Sequence, residues 1–248
     1  MLCHAADEAA IWAYEELGRR GLPVSLITVE VLACALRWRH WLGAGAPRIE
    51  FDLADGRHID SRFVRGALNR VQWVPPDNLA VAAPEERAYA SQEFQAFFAG
   101  WLYSLPPPVL NPPTAQGLSG RWRHPTEWHW LAGQAGLPTL PLKITGHDHD
   151  LVTVAYAKPR PHERTVLVLC DEAIGGGLPS DILAGCRHLS ELAEIPLLGI
   201  NFCAGDDNTW IFAGADLHPD LRLGGPHFID RLARVFQRVP GGLEDERP

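Results

Sequence analysis

The sequence has little lysine and no long apolar run. Lys143 and Lys158 are the only lysines among its 22 basic residues, so chemistry that needs a lysine has two candidates. No stretch of about 18 consecutive apolar residues occurs, which excludes a transmembrane helix. Asp7 and Glu8 interrupt the N-terminal segment before an apolar run forms, so this segment does not have the pattern of a signal peptide.

Paired cysteines and an excess of positive charge are also absent. The five cysteines are scattered and none belongs to a CxxC pair. This distribution is typical of reduced thiols in a cytoplasmic protein rather than of a disulfide framework. The formal net charge of -8 argues against nucleic acid as a partner. We therefore expect a cytoplasmic protein with no nucleic-acid or membrane partner.

The chain has enough apolar sequence for a substantial core. Its 248 residues are 46% hydrophobic and 21% charged, which suits one large domain or two smaller ones. The proline-rich segment PPPVLNPP, residues 106–113, marks the most suitable boundary. We accordingly predict a first domain at 1–110, a second domain at 111–240 and a tail at 241–248.

Helical and strand patterns alternate along the chain, which predicts a mixed α/β or α+β class. The residues 171–179, between two such patterns, are predicted to form a loop. Helices are predicted at 7–20, 84–104, 125–135, 180–194 and 226–238. Strands are predicted at 1–4, over PVSLITVEVL (23–32), on both sides of the Asp55-Gly56 turn, at 151–157 and 164–170, and on both sides of GDDN (205–208).

Two segments interleave aromatic and basic residues. In RWRHPTEWHW, residues 121–130, such side chains can stack on and clamp a nucleotide or a peptide. The competing interpretation is a helix that buries its tryptophans at a domain junction. RWRHW, residues 37–41, is similar and is interpreted as packing or as an interface. Trp122, Arg123 and Trp128 are the candidates for binding a peptide or protein partner.

A histidine-rich segment allows a metal-binding interpretation. HDHD, residues 147–150, places His147 and His149 at alternate positions, where a strand presents both on one face. His124 and His129 are candidates for further ligands. The competing interpretation is a polar surface loop.

Two further polar segments have a structural and a ligand-binding interpretation. GGG at 175–177 fits a flexible turn or a phosphate-binding loop, and Asp206-Asp207-Asn208 fits a hairpin turn or a metal site. The sequence contains no GxSxG, HExxH or Walker motif, so a serine hydrolase or zinc protease has no support.

Several consecutive segments together resemble one enzyme family. They are the β-α-β pattern at the N-terminus, LNRVQWVPPD (68–77), SQEFQAFFAGWLYSLPPPVLNPPTA (91–115), LAGQAGLPTLPLKITG (131–146), and the helix and hairpin at 182–221. In this order they resemble the ATP-grasp ligases, in particular the peptide-modifying branch that includes the microviridin-type graspetide maturases. The resemblance implies a pre-ATP-grasp N-terminal domain, followed here by a shortened ATP-grasp part.

The resemblance also implies ATP, Mg²⁺ and an acyl-phosphate intermediate, and it locates the residues that would serve them. In the family's final hairpin, an Asp on the first strand and a Glu-x-Asn on the second hold the metal. The matching positions here are Asn201, Gly214 and Asp216. Asn201 is neutral and Gly214 has no side chain, so the carboxylates that would offset a triphosphate are reduced to Asp216.

The nucleotide-binding positions implied by the resemblance are also altered. Lys158 matches the family's hinge lysine, and Lys143 is the other lysine available for phosphate. Pro125 stands near the position of a further family lysine, for which Arg121 or Arg123 are substitutes in charge. After Lys158 the chain runs directly into the next strand, so most of the lid that covers the phosphates is expected to be missing.

Three functions follow from these observations. We favour a degenerate, non-ligating relative that binds a peptide or protein partner in a pathway modifying ribosomal peptides. A homodimer is compatible with this function. The second is an active ATP-dependent ligase that joins a peptide carboxylate to an amine or hydroxyl. The third is a metal enzyme based on His147 and His149.

Overall fold

The structure, a computed structural model, describes residues 1–44, 47–75, 83–141, 143–145, 153–155, 164–175, 177–205 and 209–237; for 143–145 and 153–155 it describes the backbone only. The chain divides into two units. Unit 1 comprises Met1–Arg121 with the chain from Ile229 onward, and unit 2 comprises Trp122–Phe228. The domain bounds given above stay a prediction.

Unit 1 combines short parallel strand pairs with an antiparallel three-stranded sheet. Strand β1 pairs with β2, and β6 pairs with β7, both in parallel, while β3, β4 and β5 form the antiparallel sheet in that order. Its elements are β1 (Leu2–Cys3), α1 (Glu8–Arg19), β2 (Ile27–Thr28), α2 (Val29–Ala33), β3 (Arg37–Trp41), β4 (Arg48–Asp52), β5 (His58–Asp60), β6 (Ala67–Leu68), α3 (Arg87–Tyr103) and β7 (Val109–Leu110).

Aromatic rings fill the core of unit 1. Helix α3 contributes Phe98 and Trp101, which are fully buried. Trp101 meets Phe51 of β4 edge to face, with ring centroids 5.2 Å apart, and Trp38 of β3 lies 5.2 Å from Phe98. Such rings bury much apolar area and add a geometric preference, so they hold one face of the β3–β5 sheet against α3.

Unit 2 is an antiparallel four-stranded sheet with helices packed against one face. The strand order is β11-β10-β12-β13, and α5 packs on β10, β11 and β12. Its elements are α4 (Pro125–Gln134), β8 (Lys143–Thr145), β9 (Thr153–Ala155), β10 (Arg164–Leu169), β11 (Glu172–Ile174), α5 (Ser180–Ala193), β12 (Leu197–Ala204) and β13 (Trp210–Asp216), and α6 (Gly225–Gln237) spans the division between the units.

Alternation along the strands directs apolar side chains of unit 2 to the helices. Val166 and Val168 of β10 and Ile200 and Phe202 of β12 are buried in one cluster with Leu189 of α5. The opposite face of β12 therefore carries Gly199 and Asn201, because successive strand residues point to opposite faces.

The predicted helices are confirmed within a few residues at each end. Asp7 caps α1, since its side chain accepts a hydrogen bond from the backbone N–H of Ala10 at 3.0 Å. The hairpin at Asp55-Gly56 is also confirmed, because β4 and β5 pair across it. The mixed α/β class is correct, and no described helix has the length and apolarity to cross a membrane.

Two local predictions are wrong. PVSLITVEVL is a strand only at Ile27–Thr28, and the side chain of Thr28 caps α2 by accepting from the N–H of Val31. The segment 171–179 is not entirely a loop, because Glu172–Ile174 is β11 and pairs with β10 across a two-residue turn at Cys170 and Asp171. Cys170 has a φ of 55°, a backbone conformation that the presence of a cysteine does not predict.

The five cysteines are free thiols, as expected. Burial is the largest cause that raises the pKa of Cys3 to about 11 and the pKa of Cys186 to about 12. Both thiols are therefore protonated at neutral pH and cannot serve as nucleophiles.

Candidate functional site

The hairpin of β12 and β13 brings together the positions that the family resemblance assigns to metal binding. Asn201 of β12 lies opposite Gly214 of β13, and Asp216 lies opposite Gly199. Asn201 and Asp216 are therefore diagonal neighbours on the same face of the sheet, the face away from the buried Ile200.

Hydrogen bonds within the protein already engage one oxygen of each of these two side chains. The hydroxyl of Thr165 on β10 donates to Oδ1 of Asn201 at 2.8 Å. The backbone N–H of His218 donates to Oδ1 of Asp216, also at 2.8 Å. A neutral amide, a glycine and one carboxylate do not fit Mg²⁺ bound to a triphosphate, because this ion prefers several anionic oxygen ligands. The site therefore lacks the charge that the resemblance requires.

Among the described residues, three potential metal ligands come together at one place, in unit 1. One ligand atom each from Glu50, His58 and Asp60 lies within 4.8 Å of the others. Arg39 and Arg48 contact Glu50, and Arg62 donates to Asp60 at 2.6 Å. These guanidinium groups already neutralise the carboxylates, so a divalent cation would have to displace them.

This ionic cluster was missed by the sequence analysis. Glu50 and Asp60 are directly opposite each other on neighbouring strands. The alternation of charged residues along β4 and β5 is visible in the sequence. It does not show which residues face each other, because that depends on the strand register. The hydrogen bond from Arg62 is the largest cause that lowers the pKa of Asp60 to about 2. Burial acts in the opposite direction and raises this pKa.

Of the residues predicted to bind nucleotide, Arg123 has a side chain that is engaged in contacts within the fold. Its side chain is buried, with Nη2 donating to the carbonyl of Ala193 at the end of α5 at 2.8 Å and Nε lying 3.2 Å from Glu127. Arg121 is exposed. Lys143 begins β8, of which the backbone alone is described. Lys158 lies outside the described residues, so nucleotide binding by these side chains stays a prediction.

The three candidates for partner binding are placed differently. Trp122 is 64% exposed, whereas Trp128 is 7% exposed and belongs to the apolar core of unit 2. The guanidinium of Arg123 lies 5.2 Å from the Trp128 ring and is itself buried. The structure thus favours packing for Trp128 and Arg123, and it leaves Trp122 as an accessible ring.

The two histidines of the same segment also hold structural positions. His124 precedes α4, and its Nδ1 accepts from the N–H of Thr126 at 3.3 Å. Nε2 of His129 contacts the carbonyl of Leu140, which makes this nitrogen the donor. HDHD, Gly176 and residues 206–208 lie outside the described residues, so the metal and loop interpretations of those segments stay predictions.

A groove of about 830 Å³ runs along the first turns of α3. Three carboxylates, those of Glu85, Glu86 and Glu93, line it beside Tyr89 and Phe97. Like charges repel, so this groove does not suit the phosphates of a nucleotide.

Comparison with known proteins adds information at the level of the fold. No family model matches the sequence, and no curated protein matches it significantly. Solved structures do match. The macrocyclase MdnC of Microcystis aeruginosa MRC, bound with the precursor peptide MdnA, is 12% identical with a TM-score of 0.73, and the match covers 95% of this chain and 98% of MdnC.

Two further matches have the same character. A RiPP-associated ATP-grasp ligase of Chryseobacterium gregarium, in complex with ADP and a leader and core peptide, is 10% identical with a TM-score of 0.68, and the match covers 96% of this chain and 93% of that one. The ATP-grasp ligase PsnB, complexed with minimal precursor, Mg and ADP, is 15% identical with a TM-score of 0.66, and the match covers 96% and 97% of the two chains. This chain therefore has the fold of the ATP-grasp ligases.

Proposed function

We propose that the protein is a non-ligating relative of the peptide-modifying ATP-grasp ligases, which binds a peptide or protein partner in a pathway that modifies ribosomal peptides. The observation that carries the proposal is the cross-strand pair of Asn201 and Gly214. The resemblance assigns two carboxylates to this pair, and their loss removes the anionic ligands that Mg²⁺ needs beside a triphosphate.

The hydrogen bonds at the hairpin support the same conclusion. Oδ1 of Asn201 is engaged by Thr165, and Oδ1 of Asp216 is engaged by the N–H of His218. Gly214 has a φ of 154°, a value at which a side chain is disfavoured, so the local backbone has also adapted to glycine.

A peptide partner is supported by the solved structures of similar fold. MdnC and the Chryseobacterium ligase were each solved with a peptide bound. Peptide binding requires no metal, so a relative that has lost its carboxylates can retain it.

Thermal unfolding with nucleotides tests the proposal. ATP, ADP and AMP are titrated with and without Mg²⁺, because a ligand present at 100 times its Kd stabilises a protein by about 2.7 kcal/mol, which is readily detected. We expect no shift that depends on Mg²⁺. We also expect no ADP release, and no loss of water from an added acidic peptide by mass spectrometry, when ATP and Mg²⁺ are supplied.

The alternative is an active ATP-dependent ligase, favoured by the ADP and Mg present in the PsnB structure. A Mg²⁺-dependent shift with ATP that Asp216→Ala removes would support this alternative, and ADP release with an added peptide would establish it. Lys158→Ala provides the parallel test at the predicted phosphate-binding lysine. If both variants bind ATP and release ADP as the original chain does, the function does not depend on these two residues.

A further inference from the structure

The face of the β3–β5 sheet that points away from α3 carries an ordered set of arginines. Trp38 of β3 packs on Phe98 of α3, so Arg37 and Arg39, the residues on either side, point to the opposite face. Their cross-strand partners are Asp52 and Glu50 of β4. We call the side chains of Arg37, Arg39 and Arg48 on this sheet, together with that of Arg62 in the 3-10 turn that follows β5, the guanidinium face.

Charges on this face are arranged in two layers. The side chains of Glu50 and Asp60 are 6% and 3% exposed, whereas those of Arg37 and Arg62 are 60% and 58% exposed. The carboxylates of Glu50 and Asp60 therefore lie beneath, where they hold the arginines in place, whereas Asp52, whose side chain is 36% exposed, accompanies Arg37 at the surface. Four arginines stand here against the carboxylates of Glu50, Asp52 and Asp60, so this face carries one excess positive charge in a chain whose net charge is -8.

The arginines retain hydrogen-bonding capacity beyond these ion pairs. A guanidinium group has five N–H donors. Arg39 uses Nη1 toward Glu50, and Arg62 uses Nε and Nη2 toward Asp60. The remaining N–H groups of a planar guanidinium suit a further carboxylate, which can be bound through two parallel hydrogen bonds.

Exposed aromatic rings and an open strand edge adjoin the guanidinium face. The Trp41 ring lies 4.9 Å from the guanidinium carbon of Arg48, and the Phe63 ring lies 5.7 Å from that of Arg62. Within the part of the chain that the structure describes, no strand pairs with β3 on its outer side. An open edge offers main-chain groups to an extended peptide, and arginines at alternate positions match alternate side chains of such a peptide.

We propose that the guanidinium face, together with the outer edge of β3, docks an extended acidic peptide segment. This inference builds on the proposed function, since it assigns a surface and a chemistry to the partner. An acidic peptide is favoured over nucleic acid because the edge of β3 offers main-chain hydrogen bonds that a peptide backbone can complete and a nucleic-acid backbone cannot. It is favoured over a second copy because antiparallel self-pairing about the centre of β3 sets the two copies of Arg39 opposite each other, and like charges opposed in a sheet are destabilising.

Fluorescence anisotropy with a labelled peptide of alternating threonine and glutamate tests this docking. The reference peptide carries glutamine in place of glutamate. We expect the glutamate peptide to bind at least about tenfold more tightly than the glutamine peptide, and to bind more weakly as salt increases, because charge pairing supplies the preference. Equal binding of the two peptides, or no binding of either, would overturn the proposal.

Two variants of equal charge change locate the binding. Arg37→Glu reverses a charge on the guanidinium face, and Arg19→Glu reverses one on α1, where the arginine is 61% exposed. We expect Arg37→Glu to weaken binding about tenfold or more and Arg19→Glu to weaken it less than about twofold. If Arg37→Glu does not fold, as circular dichroism would reveal, Arg37→Gln gives the same test. Equal effects at both sites would contradict the assignment.

Further readouts separate this inference from its rivals and from the proposed function. Displacement of the peptide by a single-stranded oligonucleotide at lower concentration than by unlabelled peptide would overturn the choice of occupant. If the protein is a dimer that the Arg37→Glu substitution dissociates, and no peptide binds, the choice of occupant would likewise be overturned. Peptide binding accompanied by ATP turnover would refute the non-ligating function and leave the docking face standing.

Discussion

Arg123 illustrates how a residue chosen for its charge can serve the fold. The family resemblance suggested phosphate binding, and the neighbouring tryptophans suggested a partner. In the structure its guanidinium lies beside the carbonyl of Ala193 at the end of α5, the carboxylate of Glu127 and the ring of Trp128. A cation at a helix C-terminus is favourable, because the carbonyl groups there carry partial negative charge.

Replacing this arginine should therefore cost stability. We expect Arg123→Ala to lower the free energy of unfolding by about 2–3 kcal/mol, because a charged hydrogen bond and a buried side chain are lost together. Urea denaturation followed by circular dichroism measures this change. Trp122→Ala, at the adjacent exposed position, is the matched control, with an expected change within about 0.5 kcal/mol. A stable Arg123→Ala that no longer binds a ligand would instead support a binding role.

The β3–β5 sheet depends on a buried carboxylate. Asp60 ends β5, and its side chain accepts from the backbone N–H of Arg62 and from the guanidinium of the same residue. Because these bonds hold the folded-state pKa of Asp60 at about 2, below the value of an unfolded aspartate, the charged form stabilises the folded protein. This stabilisation is complete above about pH 4 and is lost as the pH falls through about 2.

Asp60→Asn should expose this dependence on pH. The amide oxygen can still accept from the N–H of Arg62, but the charge is gone, so we expect a loss of about 2 kcal/mol in the free energy of unfolding at pH 7. The difference from the original chain should shrink as the pH falls from about 4 toward 2. Urea titrations at a series of pH values measure it. Glu15→Gln, which removes an exposed carboxylate from α1, is the control for the loss of one negative charge at pH 7.

How far the sequence predicts the elements depends on whether the determining contacts are local. Helices α1 and α5 were predicted because their apolar spacing is contained within each segment. The strand predicted over PVSLITVEVL is confined to Ile27–Thr28, and beyond it a hydrogen bond from Val31 to Thr28 starts a helix in residues that favour strands. The Glu50 and Asp60 cluster was missed because it exists only once β4 and β5 are in register.

The candidate site shows the same distinction. Asn201 and Asp216 were named from a resemblance, and the pairing of β12 with β13 placed them on one face. The bond from Thr165 to Asn201 comes from a third strand, which no local pattern encodes, whereas the N–H of His218 that donates to Asp216 is only two residues away in the chain. The burial of Trp128 likewise depends on packing against distant strands, so a sequence rich in tryptophan and arginine does not distinguish a binding surface from a core.

Among the residues that the structure describes, each unit contains a cluster of buried apolar side chains. One surrounds Phe98 and Trp101 of α3 in unit 1, and the other surrounds Trp128 of α4 and the buried strands of unit 2. Chains with more than one core commonly unfold in more than one step. The predicted division into a domain at 1–110 and a domain at 111–240 therefore has a calorimetric consequence.

We expect differential scanning calorimetry to resolve two transitions that respond to different substitutions. Phe98→Ala removes a fully buried ring from the core of unit 1, and Trp128→Ala removes one from the core of unit 2. Each truncation should cost about 3–5 kcal/mol, enough to lower the midpoint of one transition by roughly 10 °C or more while the other moves little. Trp122→Ala, which truncates an exposed ring, should move neither. A single transition that both core variants lower equally would show that the two cores unfold together, and the two-domain prediction would then be wrong.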